Sequence, residues 1–184
     1  MPGIRVHLVA EPSPARVLVR ALRSPLIVRH LTPAQALRSP GAGIGADVTV
    51  LAFEPGTQPV LEAEAFAGAG LYARWDSRRG EIGPVLGAGS GPCPRCLAGS
   101  TTQATGGDAP LLGAWVGAWT ALQCLSMGAS MHSELIGVSW RWHLSHPGLE
   151  LALWPRQGDC PVSGCTTPRT EPITGGGLRL DAPR

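Results

Sequence analysis

"IRVHLVAEPSPARVLVRALRS", residues 4–24, decides the fold. Its first six residues, 4–9, are a short apolar run that reads as a buried strand. Ser13 then stands as helix N-cap with Pro14 at the first helical position, so strand, turn and helix follow in order. The pattern recurs downstream. "LIVRH" (26–30) is a second strand, and Thr32-Pro33 repeats the cap signature for a short helix ending near Ser39. "SPGAGIGA" is a connector, "DVTVLAF" (47–53) a third buried strand and "PVLEAEAFAG" a further helix. "LYARW" (71–75) is another strand, turned by "DSRRGE" into "IGPVL". Strands alternating with helices of this length predict an α/β fold with a mainly parallel, Rossmann-like sheet.

The second half changes character. A polar Gly/Thr loop at 98–109 precedes a long apolar helix, "PLLGAWVGAWTALQCLSMGAS" (110–130). In "GVSWRWHLSHPGLELALW" (137–154), Val138, Trp140, Trp142 and Leu144 alternate with polar residues, "SHPG" makes a turn, and Leu149, Leu151 and Leu153 alternate again. That is a hairpin with one apolar face. From about residue 167 the chain is a Pro/Gly/Thr tail expected to be poorly ordered. The 184 residues are thus expected to form one domain over 1–166 with a tail over 167–184.

Composition excludes some partners. All 15 basic side chains are arginine, scattered along a chain of formal net charge +2, so there is no basic stripe and nucleic acid is not expected. Residues 110–130 carry a small-xxx-small pair at Gly113 and Gly117, as some membrane helices do. Thr120, Gln123 and Ser126 within it, and the lack of flanking basic residues, favour a buried core helix, so no membrane contact is expected. The start, "MPGIRVHLVAEPSP", lacks a charged segment before a long apolar run, and the expected location is the cytoplasm.

Four cysteines form two knuckles, Cys93 and Cys96 in "CPRC" and Cys160 and Cys165 in "CPVSGC". Prolines and a glycine beside them (Pro92, Pro94, Pro161, Gly164) suit tight turns that aim two sulfurs at one point. Four thiolates make a closed, structural zinc site that would clamp the C-terminal hairpin. Two other chemistries remain open: free or redox thiols, against which Pro94 in a Gly-rich loop counts, and two disulfides, against which a cytoplasmic location counts. Cys124, inside the apolar helix, reads as a small core residue. "GAGIG" (41–45) precedes a strand instead of following one, so it reads as a linker and not a dinucleotide loop. His132, His143 and His146 read as solvated or capping residues, and no local Ser, His and acid set nominates a catalytic triad.

The order of α/β unit, hairpin, "CPRC", loop, apolar helix, hairpin and second cysteine pair resembles the ThiF/MoeB group, the ubiquitin-activating-enzyme-like adenylyltransferases. Within it, the chain is most similar to actinobacterial ThiF-like and cyclodehydratase-associated proteins of thiazole/oxazole peptide biosynthesis. "GPVLGAGSGPCPRCLAG", "LLGAWVGAWTALQCL" and "LALWPRQGDCPVSGC" carry the likeness, which spans roughly residues 4–165. It implies a structural zinc on Cys93, Cys96, Cys160 and Cys165, and a homodimer or a heteromeric partner enzyme, with a precursor peptide as a further partner.

The departures bear on activity. Where the family has a GxGxxG turn, this chain has Ala10, Pro12 and Ala15, and Pro12 and Pro14 remove two amide donors from the helix start. No lysine is present to contact phosphates, and Glu54 is nearest the position of the family's magnesium-binding Asp. The loop after the first knuckle, "LAGSTTQATGGDAP", has no cysteine, and the chain opens directly on the first strand, with no preceding peptide-binding module expected. The expected function is therefore a non-adenylating, zinc-stabilised binding or scaffold protein, with no catalytic and no nucleotide-binding residues. The alternative is an active adenylyltransferase whose nucleotide site uses atypical or partner-supplied residues.

Overall fold

A computed structural model describes residues 3–87, 91–98, 109–130, 132–146 and 148–165. The tail expected from residue 167 and most of the loop after the first knuckle lie outside them. Strands β1 (Ile4–Ala10), β2 (Leu26–Leu31), β3 (Val48–Ala52), β4 (Gly70–Trp75), β5 (Arg79–Leu86), β6 (Val138–His143) and β7 (Leu149–Leu153) form one sheet in the order β2-β1-β3-β4-β5-β6-β7. The first four are parallel neighbours, and β5, β6 and β7 extend the same sheet antiparallel. The change of direction is made at Asp76, whose Oδ1 accepts from the amides of Arg78 (2.6 Å) and Arg79 (2.7 Å) and so closes the turn from β4 into β5. The C-terminal hairpin is therefore the sheet's edge rather than a separate flap.

Helices α1 (Pro12–Ala21) and α5 (Pro110–Ser130) cover one face; α2 (Pro33–Leu37), α3 (Pro59–Ala67) and α4 (Pro94–Ala98) cover the other. Because both faces are covered, β1 carries buried apolar side chains on both. Val6, Leu8 and Ala10 enter the core beneath α1 and α5, and Val9 the core beneath α2 and α3. α1 begins two residues earlier than the sequence suggests. Glu11 takes the N-cap position with extended backbone (φ −64°, ψ 158°), since the fixed φ of Pro12 already suits the first helical residue. At α2 the expected cap is present: Thr32 Oγ1 accepts from the Gln35 amide, and Gln35 Oε1 accepts from the Thr32 amide. That helix ends at Leu37, short of Ser39.

The Gly113/Gly117 pair seats α5 inside the protein. A Cβ at 117 would lie 2.8 Å from that of Ala21 on α1, and one at 113 would lie 3.2 Å from Trp75 and Val17. Among the described residues, no helix is long and apolar enough to cross a membrane. α5 is not buried all round, as the sequence led us to expect. Leu111 and Leu122 on its outer side are 76% and 58% exposed, beside the tilted stack of Trp115 on Trp119 and Trp142.

Candidate metal centre

Each knuckle is shaped by its own backbone. Cys93 O accepts from the amides of Cys96 (3.0 Å) and Leu97 (3.2 Å), which opens α4 and turns both side chains inward. After β7, the Cys160 amide donates to Gln157 O and the Cys165 amide to Val162 O, two successive turns helped by a positive φ at Gly164. The four predicted cysteines converge. All are buried, and their sulfurs lie within 4.8 Å of one another. Sγ–Sγ separations are 3.5 Å for Cys93–Cys160, 3.7 Å for Cys96–Cys165 and 3.9 Å for Cys93–Cys96.

These spacings discriminate among the three chemistries. A disulfide needs sulfurs about 2 Å apart, and all five cysteines, Cys124 included, are free. A tetrahedron with metal–sulfur bonds of about 2.3 Å has edges of about 3.8 Å, the value around which the separations cluster. The Cys93 amide donates to Cys165 Sγ and the Gln157 amide to Cys96 Sγ, both at 3.3 Å, bonds that fix the sulfurs and favour thiolates. Thiols alone would not ionise together. Burial pushes the Cys93 thiol up and that of Cys165 up to about 12, while a hydrogen bond from the Val162 amide brings Cys160 down to about 7. A divalent cation between them removes this conflict by taking all four as thiolates. The group can hold a metal ion and is compatible with structural zinc.

Not one of the histidines joins it. His143 Nε2 lies 3.3 Å from Glu150 across the β6–β7 hairpin, and His146 Nδ1 lies 3.0 Å from Ser145 Oγ.

A second cluster went unnoticed in the sequence. Arg74 on β4 lies 3.3 Å from Glu54 and 3.0 Å from Glu81 on β5, which is 3.1 Å from Arg141 on β6. Glu54, Arg74 and Glu81 are buried. Both guanidinium groups stack on Trp154, at 5.5 and 5.6 Å from a ring centroid, and Trp154 Nε1 donates to Ser139 Oγ. Nearby Glu62 is buried, accepts from the Gly56 amide at 2.8 Å, and is held above the ordinary carboxylate range by burial. The signal in the sequence was a charge inside each of two strands buried along nearly their whole length, "LYARW" and "RGEIGPVL". This cluster lies at the carboxyl ends of β3 and β4, where parallel sheets place their ligand sites.

The turn from β1 to α1 is the other such place. Prolines occupy positions 12 and 14, so the first turn offers few free amides, and the residue at the N-cap is the acidic, exposed Glu11.

With these features described, comparison with solved structures finds the same architecture. The chain is similar to a heterocyclase solved with substrate and cofactor, with TM-score 0.65, 16% identity, and coverage of 87% of this chain and 25% of that one. It is similar to the heterocyclase TruD at TM-score 0.61 and 16% identity, over 87% of this chain and 27% of that one. It is also similar to E. coli MccB solved with ATP, at TM-score 0.61 and 10% identity, over 88% and 67% of the two chains. The fold is shared with theirs. This chain spans about a quarter of the heterocyclase chains and about two thirds of MccB. No protein-family model matches the sequence, and no curated protein does.

Proposed function

We propose that this chain is a zinc-stabilised, non-adenylating binding or scaffold protein of modified-peptide biosynthesis. The observation that carries the reading is the β1–α1 turn. Phosphate capture at a helix start needs free backbone amides and close approach of the ligand, and Pro12, Pro14 and the Glu11 carboxylate oppose both. The peptide part rests on fold similarity to heterocyclases and to MccB, the latter solved also with MccA. Zinc is held by Cys93, Cys96, Cys160 and Cys165 in a closed shell, which makes it structural. Residues 1–166 act as one unit.

The partner surface in this reading is the apolar face formed by Leu111, Trp115 and Leu122 of α5, Trp142 of β6, and Leu149 and Leu151 of the edge strand. It covers a second copy of the chain or a partner enzyme. Light scattering should return a species larger than the monomer, alone or with that enzyme, and a clean monomer that recovers no partner contradicts this part.

The buried Glu54–Arg74–Glu81–Arg141 chain favours a second reading, an adenylyltransferase with an atypical nucleotide site at the carboxyl ends of the strands. Pyrophosphate exchange separates the two. The first reading expects no ATP-dependent exchange with any peptide offered; exchange that depends on both peptide and protein supports the second.

A further inference from the structure

The sheet has two edge strands, β2 and β7, and they are protected to different degrees. On β2, exposed Ile27 is followed on the same face by Arg29, which donates to Ala42 O of the connector lying against that edge. A charge and a covering segment are common protections of an edge. Among the described residues β7 has no such cover. It pairs with β6 along its whole length without a bulge, and no described strand pairs with its outer side. Leu149, Leu151 and Leu153 stand opposite Trp142, Trp140 and Val138 of β6 and are 42%, 47% and 64% exposed. The one charge on the strand, Glu150, points to the other face, 3.3 Å from His143 of β6. A regular apolar edge with a free row of N–H and C=O groups is a template for a further strand.

The sequence of β7, Leu-Glu-Leu-Ala-Leu, indicates which strand that is, because it matches itself. Turned antiparallel about Leu151, it sets Leu151 against Leu151, Leu149 against Leu153 and Glu150 against Ala152. Leucines then form a continuous ladder, and no two carboxylates stand directly opposite. We propose that β7 pairs antiparallel with β7 of a second copy, centred on Leu151, so that two seven-stranded sheets become one. This deepens the partner part of the proposed function, on which it rests, by committing to one occupant and one register. Pairing β7 with β2 of another copy would instead be head-to-tail and would leave an open edge at each end, whereas the β7 pair closes on itself.

Charge exchange at residue 151 tests the pairing in the full chain. Light scattering should return a dimer. Leu151→Lys and Leu151→Glu should each weaken self-association at least about tenfold, equal to about 1.4 kcal/mol, because each brings two like charges face to face. Mixed in equal amounts the two variants should dimerise again, since residue 151 then meets its opposite. Leu149→Glu with Leu153→Lys repeats the test at the flanking positions: the mixture should associate more tightly than either variant alone. Circular dichroism and metal content show that each variant is folded. A dimer that folded variants leave unchanged, or mixtures no tighter than their components, overturns the pairing and leaves the broader partner surface standing. So does a monomer that recovers a partner enzyme, whereas a monomer that recovers none overturns both.

Discussion

Two places in this molecule are built on proline at a sharp turn, with opposite results. At Glu11–Pro14 the prolines start a helix and delete the amides that an anion would need. At Cys93–Cys96 and Cys160–Cys165, prolines and a glycine turn the chain so that four sulfurs meet, and the amides of Cys93 and Gln157 point at sulfur. The same residue type strips amides from one turn and shapes the other. What distinguishes them is where the neighbouring N–H groups point.

The largest effect should come from breaking the metal side of this contrast. Structural zinc in cysteine-rich sites contributes on the order of 10 kcal/mol of apparent binding free energy, comparable to the stability of a whole domain. Chelation, or Cys→Ser at position 93, 96, 160 or 165, should therefore lower Tm strongly or give aggregates. Cys124→Ser, in a closed core, should cost about 1–2 kcal/mol. Thermal melts of the five variants check this, and equal tolerance at all five positions contradicts it.

Next in size is the buried charge chain beside the knuckles. Arg74→Met leaves Glu54 and Glu81 buried without their shared cation, and breaking a buried ion pair typically costs about 3–5 kcal/mol. Urea denaturation should show the loss, and a change below 1 kcal/mol would mean that these carboxylates are easily rehydrated.

A smaller effect lies at the middle of β1, the strand that leads into the proline turn. His7 is held below its ordinary pKa of 6.5 by burial, so below that pH the unfolded chain binds a proton that the folded chain resists. Stability should fall as pH drops from 6.5 through the lowered folded value. His7→Leu should flatten that part of the Tm–pH curve, and an unchanged slope contradicts it.

The smallest effect belongs to the turn itself. Pro14→Ala returns one amide to the helix start and frees the unfolded chain, a change of about 0.4–1 kcal/mol. It should leave the metal content unaltered.

Much of this was legible in the sequence. Strand positions follow from runs such as residues 47–53, and the α2 cap from Thr32 and Gln35, because both are local patterns. The cysteine quartet was legible because residue type and spacing each narrow the chemistry. The sheet's antiparallel extension was harder: β5 to β7 alternate like any hairpin, and only the pairing of β5 with β4 on one side and β6 on the other joins them to the parallel half. The charge chain depends on side chains from β4, β5 and β6 meeting across the sheet, which no local pattern encodes. The outer side of α5 was legible in part: Trp115 and Trp119 stand four apart while the remaining face is also apolar, more than one small domain readily covers, but which leucines stay exposed depends on packing.

The central claim is that the fold keeps its metal clamp without a phosphate cradle. Calorimetric titration of ATP with magnesium into protein carrying one zinc per chain tests it most directly. The account predicts no saturable binding, whereas a dissociation constant in the micromolar range would contradict it.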